Sequence, residues 1–123
     1  MRPLRISESE WLVMTVVWVK SPVPASDIVA ELGRQQGWHS RTIRTLLARL
    51  VRKKALKVLP DGKRYLYAPL ISMEEGVRRE SQSFLERVFG GERTAMLLHL
   101  VGQAKLSKED IKKLKAVLAE KEK

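Results

Sequence analysis

Residues 40–54 have the sequence SRTIRTLLARLVRKK and constrain the fold more than any other stretch of the chain. Their apolar positions recur at i, i+3, i+4 and i+7, the spacing of one helix face, and are Ile43, Leu46, Leu47 and Leu50. At about 100° per residue, the opposite face carries Arg41, Arg44, Thr45 and Ala48. The pattern predicts an amphipathic helix with a basic outer face, and we expect Ser40 to be its N-cap.

The positive charge of the protein is concentrated around this helix. The net charge of the 123 residues is +10. Residues 34–64 carry ten Lys/Arg and one Asp, a net of +9, whereas residues 1–33 and 65–123 have nets of −1 and +2. Such a local excess indicates a polyanionic partner. A membrane surface is the weaker interpretation, because a turn and a β-prone run follow the basic helix instead of an exposed, Trp/Phe-rich apolar face.

Two further helices are predicted upstream of the basic helix. Ser7 and Glu10 have capping-box spacing, and the almost unbroken apolar residues 11–19 indicate a helix that is buried on most sides. A proline-rich break separates it from a second helix over residues 25–35, which ends before Gly37. The three tryptophans are expected to pack in the core: Trp11, Trp18 and Trp38.

A short β-hairpin is predicted directly after the basic helix. Residues 56–59 and 64–68 are β-prone runs, and Asp61-Gly62 between them is a hairpin turn signal. Three helices followed by a basic hairpin are typical of a winged helix-turn-helix. We therefore expect residues 1–71 to form a winged-helix DNA-binding domain.

Residues 72–123 are predicted to form a helical dimerisation domain. Capping-box spacing recurs at Ser72/Glu75 and at Ser107/Asp110, and amphipathic stretches follow both pairs. A compact, mostly apolar segment over residues 94–101 lies between them. Three such helices can hardly close a core alone, whereas two copies of the chain can bury their apolar faces together. The residues expected at the dimer interface are Phe84, Leu85, Val88, Leu97, Leu98, Ile111, Leu114 and Leu118. The predicted fold class is mainly α with a small β-hairpin wing.

The outer face of the basic helix suits the major groove of B-DNA, which admits one α-helix. An arginine bridges guanine O6 and N7, and the methyl groups of Thr and Ala suit thymine. The residues predicted to read bases are therefore Arg41, Arg44, Thr45 and Ala48. Residues on the flanks of the helix and at the hairpin tip are predicted to contact the DNA backbone: Ser40, Thr42, Arg49, Arg52, Lys63 and Arg64. His39 fits a phosphate contact and a plain solvent position equally well.

Several classes of protein are excluded by residues that the sequence lacks. The absence of cysteine rules out disulfides, thiolate metal sites and cysteine nucleophiles. The two histidines, His39 and His99, are far apart, and no metalloprotease, phosphate-loop or nucleophile-elbow motif occurs. We expect no enzymatic activity, no cofactor and no metal. Because no signal peptide or membrane-spanning stretch is apparent, we expect a cytoplasmic protein that does not insert into a membrane.

Four segments in order carry a resemblance to a known family. They are residues 6–18 (ISESEWLVMTVVW), 38–50 (WHSRTIRTLLARL), 81–91 (SQSFLERVFGG) and 106–111 (LSKEDI). In these segments the chain resembles the BlaI/MecI penicillinase-repressor family of bacterial winged-helix regulators. The resemblance implies an N-terminal winged helix and a homodimer that represses promoters, often of β-lactam-resistance genes, from palindromic operators.

The same resemblance implies a route of induction. Members are usually encoded beside a membrane metalloprotease sensor, and proteolysis within the dimerisation region, by the sensor or a downstream protease, relieves repression. Penicillinase repressors are cut at an Asn-Phe bond, and the corresponding residues here are His99 and Leu100. The implied proteolytic site thus has a different sequence. A copper-responsive branch of the family binds metal through a cysteine cluster, which this chain lacks.

Two other functions stay open on the sequence alone. A general nucleic-acid packaging or RNA-binding protein would share the positive charge, although it needs neither a single reading face nor a dimer module. A small-molecule-sensing winged-helix regulator would hold a ligand in an apolar pocket, and such a pocket leaves little trace in a sequence.

Overall fold

The computed structural model describes residues 5–123, which form six helices and three short strands. In chain order the elements are α1 (Glu8–Lys20), β1 (Val23–Pro24), α2 (Ala25–Gln36), α3 (Ser40–Arg52), β2 (Leu56–Asp61), β3 (Arg64–Pro69), α4 (Met73–Phe89), α5 (Arg93–Gln103) and α6 (Lys108–Lys121). The predicted fold class, mainly α with a small β-hairpin wing, is confirmed.

Capping signals in the sequence mark the start of α1 and the end of α2. The Ser7 hydroxyl accepts a hydrogen bond from the Glu10 backbone N–H at 3.1 Å, and the Glu10 carboxylate accepts one from the Ser7 N–H at 2.9 Å. This is the predicted capping box of α1. Gly37 ends α2 with a φ of 70°, a left-handed conformation that glycine adopts at little cost.

The core lies among α1, α2 and α3. Its fully buried side chains come from all three helices and from the strands that follow them, and include Val13, Met14, Val17, Val23, Ile28, Leu32, Ile43, Leu47, Leu50 and Leu56. Trp11, Trp18 and Trp38 are half-buried and pack against this core, which agrees with the sequence-based expectation.

The sheet contains one strand that the sequence pattern did not predict. β2 and β3 form the expected antiparallel hairpin, and Gly62 at its tip has a φ of 63°. β1 pairs with the other edge of β3, with Val23 opposite Tyr67, so the strand order is β1-β3-β2. A strand of two residues among prolines is too short to show a period of two. It joins the start of α2 to the wing.

Two compact units make up the chain. The first ends at Ser83 and the second comprises Phe84–Lys123, so that the boundary falls within α4. Among residues 84–123, all of which the structure describes, only Leu85 is buried. The division into a DNA-binding part, residues 1–71, and a dimerisation part, residues 72–123, concerns function and remains a prediction.

The two capping boxes predicted for the later helices have different outcomes. Ser107 and Asp110 form the complete box at the start of α6. Ser72 accepts from the Glu75 backbone N–H at 3.0 Å, but the Glu75 carboxylate binds Arg78 and Arg79 instead of turning back to Ser72. Two guanidinium groups attract the carboxylate more strongly than one amide does, and their hydrogen bonds lower the pKa of Glu75 to about 2.

Candidate nucleic-acid interface

Helix α3 has one face in the core and the opposite face in solvent. On the inner face, Ile43 and Leu50 are completely buried, and Leu47 is 1% exposed. All four residues predicted to read bases are exposed: Arg41, Arg44, Thr45 and Ala48. Because α1 and α2 both pack against α3, the outer face is held on a two-helix scaffold. This is the arrangement in which a helix can enter the major groove.

The arginines of this outer face form no ion pair with a carboxylate in the part of the chain that the structure describes. Several arginines elsewhere within residues 5–123 are paired with acidic side chains, among them Arg34, Arg64, Arg78 and Arg79. Within residues 5–123, no ion pair involves the arginines of α3: Arg41, Arg44, Arg49 and Arg52. Like charges that no carboxylate neutralises repel each other, so the face is electrostatically suited to an anion from outside the chain.

The N-terminus of α3 differs from the prediction, because the N-cap is His39 and not Ser40. The His39 Nδ1 atom accepts a hydrogen bond from the Arg41 backbone N–H at 3.1 Å, and the helix already begins at Ser40. An accepting Nδ1 leaves the proton of a neutral imidazole on Nε2, as a donor. Histidine is an uncommon N-cap, so capping preferences pointed to the serine beside it.

The remaining helix residues predicted for the DNA backbone are mostly accessible. Thr42, Arg49 and Arg52 are exposed, whereas Ser40 is half-buried. On the reading face, the Thr45 hydroxyl donates to the Arg41 carbonyl at 2.9 Å. Its proton is therefore engaged within the helix, which leaves its methyl group and its lone pairs for an outside partner.

The two contact residues predicted at the hairpin tip, Lys63 and Arg64, differ in their ion pairing. Arg64 pairs with Asp61, with 3.0 Å between Nε and Oδ2. Lys63 is exposed and has no ion-pair partner among residues 5–123. Tyr65 is 62% exposed beside them, while Tyr67 packs on the core. Lys63 is thus the more available cation of the hairpin tip.

The ammonium group of Lys53, directly after α3, is bound within the protein and is therefore not a candidate for DNA contact. Its ammonium group donates to the Glu10 carboxylate at 2.6 Å and to the Arg5 carbonyl at 2.8 Å. Glu10 is only 1% exposed, so this ion pair joins a nearly buried carboxylate at the start of α1 to a partly exposed ammonium group directly after α3. From the sequence alone, Lys53 cannot be distinguished from the other basic residues of this stretch, because Glu10 is 43 residues away and only the fold brings the two side chains together.

Most residues predicted for a dimer interface keep apolar surface in solvent. Their exposure ranges from 37% at Phe84 to 70% at Leu98, and the set is Phe84, Val88, Leu97, Leu98, Ile111, Leu114 and Leu118. Leu85, at 4% exposed, is already covered within its own chain. His99 and Leu100 are exposed but lie inside α5, so a protease that binds extended peptide needs this helix to unwind locally.

Comparison with known proteins assigns the chain to a family. The sequence model of the family described as "Penicillinase repressor" matches residues 6–120, nearly the whole chain. The chain belongs to the penicillinase repressor family. The sequence-based resemblance is thereby confirmed, and so is the exclusion of enzymatic activity, because this is a family of DNA-binding transcriptional regulators.

Individual penicillinase repressors match over most of their length. The penicillinase repressor of Bacillus licheniformis is 34% identical over 116 residues, which cover 94% of this chain and 91% of that protein. The methicillin resistance regulatory protein MecI of Staphylococcus aureus strain N315 is 32% identical, with 94% of each chain covered. The solution structure of monomeric Bacillus licheniformis BlaI in complex with the blaP half-operator matches with a TM-score of 0.54 and 33% identity, over 61% of this chain and 93% of that one.

As a member of this family, the protein is a DNA-binding transcriptional repressor with a winged-helix fold. The exposed basic face of α3 and the hairpin tip are its candidate DNA-binding surface. Within residues 5–123, no helix is both long enough and apolar enough to cross a membrane.

Proposed function

We propose that this repressor binds palindromic operators as a homodimer, with the outer face of α3 reading bases in each half-site. The observation that carries the proposal is the set of exposed arginines on α3 that have no ion-pair partner among residues 5–123. Arg41 and Arg44 lie on the reading face, and Arg49 and Arg52 lie at positions suited to phosphates. Lys63 at the hairpin tip and the donor on His39 extend the contact to the flanking backbone.

The homodimer is supported by the apolar surface of the second unit. No residue of α5 or α6 is buried in the single chain, although both helices carry leucines on one side. Helices that expose this much apolar surface gain stability when a second copy covers it. A two-fold dimer presents two α3 helices to half-sites about one turn of DNA apart, roughly 34 Å. The named relatives suggest β-lactam-resistance-type genes as targets.

Selection of bound sites from random duplex DNA tests the DNA-binding part. We expect a palindromic consensus, and we expect Arg44→Ala to weaken binding to it by about 1–3 kcal/mol. The matched control is Arg78→Ala, because Arg78 is an exposed arginine that is already paired with Glu75. A selection that returns no shared sequence, or equal losses on selected and random DNA for Arg44→Ala, contradicts base reading by α3.

The oligomeric state of the full chain tests the dimer. Leu98→Glu introduces a charge into the proposed interface and is expected to give monomers in sedimentation or light scattering. Val19→Glu is the matched control, because Val19 is 78% exposed but lies on α1 in the first unit. A wild-type chain that is monomeric at micromolar concentration, or a Leu98→Glu chain that remains dimeric, contradicts the proposal.

Relief by proteolysis at His99-Leu100 is the regulatory part of the proposal. Cutting this bond removes α6 and the end of α5, and with them the apolar residues Leu100, Ile111, Leu114 and Leu118. A chain that ends at His99 is therefore expected to be monomeric and to lose its preference for a palindrome over a half-site. If this shortened chain binds the palindrome as the full chain does, cleavage at this bond cannot relieve repression.

A further inference from the structure

The hairpin of β2 and β3 has one face that carries no charged side chain. Across the pair, Val58 lies opposite Tyr67 and Pro60 lies opposite Tyr65. Side chains of directly opposed residues point to the same side of a sheet, so these four residues share one face. The other face carries the charged residues of the two strands, which are Lys57, Asp61 and Arg64.

This apolar face packs on the helical core at its inner end and extends beyond the core towards the hairpin tip. Leu56 is buried on this face, and Tyr67 packs against the core. Towards the tip, Val58 is 37% exposed, Pro60 is exposed and Tyr65 is 62% exposed. We call these three residues, Val58, Pro60 and Tyr65, the hairpin strip.

The hairpin strip keeps apolar surface in water that the core does not use. A sheet that is solvated beyond its core normally carries polar side chains there, because exposed apolar surface contributes no stability. A tyrosine ring gains free energy when a partner covers it, while its hydroxyl can stay in solvent. The exposed ring therefore indicates a partner that approaches the hairpin tip on the side that faces the helical core.

The charge at the tip restricts the chemistry of this partner. Lys63 lies two residues before Tyr65, is exposed and has no ion pair among residues 5–123. The hairpin also follows α3 in the chain, and the exposed arginines of α3 belong to the candidate DNA-binding surface. The partner therefore has to present an anionic group beside an apolar one. The DNA backbone does so, since phosphates alternate with deoxyribose rings along each strand.

We propose that the Tyr65 ring, flanked by Val58 and Pro60, packs against a deoxyribose of the DNA strand whose phosphate Lys63 binds. The inference rests on the part of the proposed function that places the hairpin tip along the DNA backbone. Such a contact adds no charge and reads no base. It therefore strengthens binding to every duplex sequence equally, and it leaves unchanged the salt dependence, which follows the number of phosphates neutralised.

The size of the expected effect follows from the surface that a sugar can cover. A tyrosine buries about 150–250 Å² when it is completely enclosed. A deoxyribose covers only part of the exposed ring, and removing roughly 50 Å² of apolar surface from water changes the affinity about eightfold per hairpin. A short duplex with one half-site engages one hairpin and reports this factor directly.

The experiment measures DNA binding of full-length variants by fluorescence anisotropy over a series of salt concentrations. Each variant is titrated on a duplex with one half-site of the selected operator and on a random duplex of the same length. Tyr65→Thr removes the ring but keeps a residue that favours strands, Tyr65→Phe removes only the hydroxyl, and Val58→Thr replaces one methyl group of the strip by a hydroxyl. Val19→Thr is the matched control, because Val19 is 78% exposed in the same unit but lies on α1.

We expect Tyr65→Thr to weaken binding about five- to tenfold on both duplexes, with the wild-type slope of log affinity against log salt. Tyr65→Phe keeps the ring and is expected to bind within about twofold of wild type, whereas Val58→Thr is expected to lose about two- to threefold. Val19→Thr is expected to bind like the wild type. The slope separates the contact from a structural role: if the ring only held the tip in place, Tyr65→Thr would also displace Lys63 and reduce the slope by about 1.

The inference is overturned if Tyr65→Thr binds both duplexes within about twofold of wild type, or if its slope falls by about 1. A loss confined to the selected half-site overturns it as well, because the ring would then contact bases. An equal loss in Tyr65→Phe assigns the effect to the hydroxyl and contradicts packing of the ring. If Tyr65→Thr does not fold, which circular dichroism would reveal, wild-type affinity of Val58→Thr on both duplexes overturns the inference.

Failure of the proposed function has a different signature. If selection returns no shared sequence, the chain does not read operators, but the loss that Tyr65→Thr shows on the random duplex still tests the sugar contact. If a palindrome is selected and Tyr65→Thr keeps full affinity, operator binding stands and only the sugar contact is wrong.

Discussion

The ion pair between Glu10 and Lys53 provides the sharpest test of what holds α3 in place. The Glu10 side chain is 2% exposed and the Lys53 side chain is 35% exposed, with 2.6 Å between Oε1 and Nζ. The second Glu10 oxygen, Oε2, is buried without a hydrogen-bond partner in the described structure. Lys53 is therefore the cation on which a nearly buried carboxylate depends.

The structure predicts which partner is more costly to remove. Lys53→Met leaves the carboxylate buried without its cation, and breaking a buried pair in this way typically costs about 3–5 kcal/mol; we expect about 3 kcal/mol. Glu10→Gln leaves an ammonium that water can still reach and keeps an oxygen for the Ser7 N–H. The loss is then one charge-assisted hydrogen bond, about 2 kcal/mol. The double variant is expected to cost about 2 kcal/mol less than the sum of the single variants.

Urea unfolding followed by tryptophan fluorescence is the suitable assay, because all three tryptophans lie in the first unit. One protein concentration has to be used throughout, since association adds to apparent stability. Glu8→Gln is the matched control: Glu8 is exposed in the same helical turn and has no ion pair among residues 5–123. It is expected to change stability by less than about 0.5 kcal/mol.

The pH dependence of the same variants follows from the pKa of Glu10. Burial raises this pKa, but the hydrogen bonds from Lys53 and Ser7 outweigh burial and hold the pKa below its usual 4.5. A carboxyl whose pKa is lower in the folded state stabilises the fold above its unfolded pKa and loses this effect as the pH falls through the folded pKa. The difference between wild type and Glu10→Gln should thus be largest near neutral pH and shrink below about pH 4.5.

Two results would refute this reasoning. If Glu10→Gln destabilises more than Lys53→Met, the buried carboxylate is not the group that needs compensation. If the difference between wild type and Glu10→Gln stays constant from pH 7 to below pH 4, the Glu10 charge does not contribute to stability.

Three further expectations concern the hairpin tip and the last helix. Asp61→Asn frees Arg64 from its ion pair and is expected to tighten binding to random duplex DNA about two- to threefold at low salt, measured by fluorescence anisotropy. Lys63→Ala is expected to weaken binding about equally on all sequences and to reduce the slope of log affinity against log salt by about 1; a sequence-dependent loss would contradict a phosphate role. Ser107→Ala removes the hydroxyl that caps α6 at the Asp110 N–H and is expected to cost about 1 kcal/mol, read from the thermal unfolding of the full chain at one protein concentration.

Local signals made much of the first unit predictable. The period of the basic helix and the Ser7 capping box are short-range patterns, and both appear in the structure where they were expected. The hairpin also forms, but β2 extends to Asp61, which pairs with Arg64, so the turn consists of Gly62 and Lys63 instead of Asp61 and Gly62. Patterns with competing local partners were less reliable. His39 took the cap position assigned to Ser40, and Glu75 turned to Arg78 and Arg79, because the choice between neighbouring donors and acceptors depends on three-dimensional geometry.

The sequence by itself determined which face of α3 is apolar and which is basic, because helical periodicity and charge are properties of residue order alone. It also carried the motifs by which the family is recognised. Only the tertiary structure decided which basic residues stay available: Lys53 joins Glu10, 43 residues away in sequence, whereas the arginines of α3 find no carboxylate within the described chain. The same holds for Gly76, whose contact with Trp18 depends on the packing of two helices far apart in sequence. Contacts between distant residues arise from the global packing of the core, which no local pattern encodes.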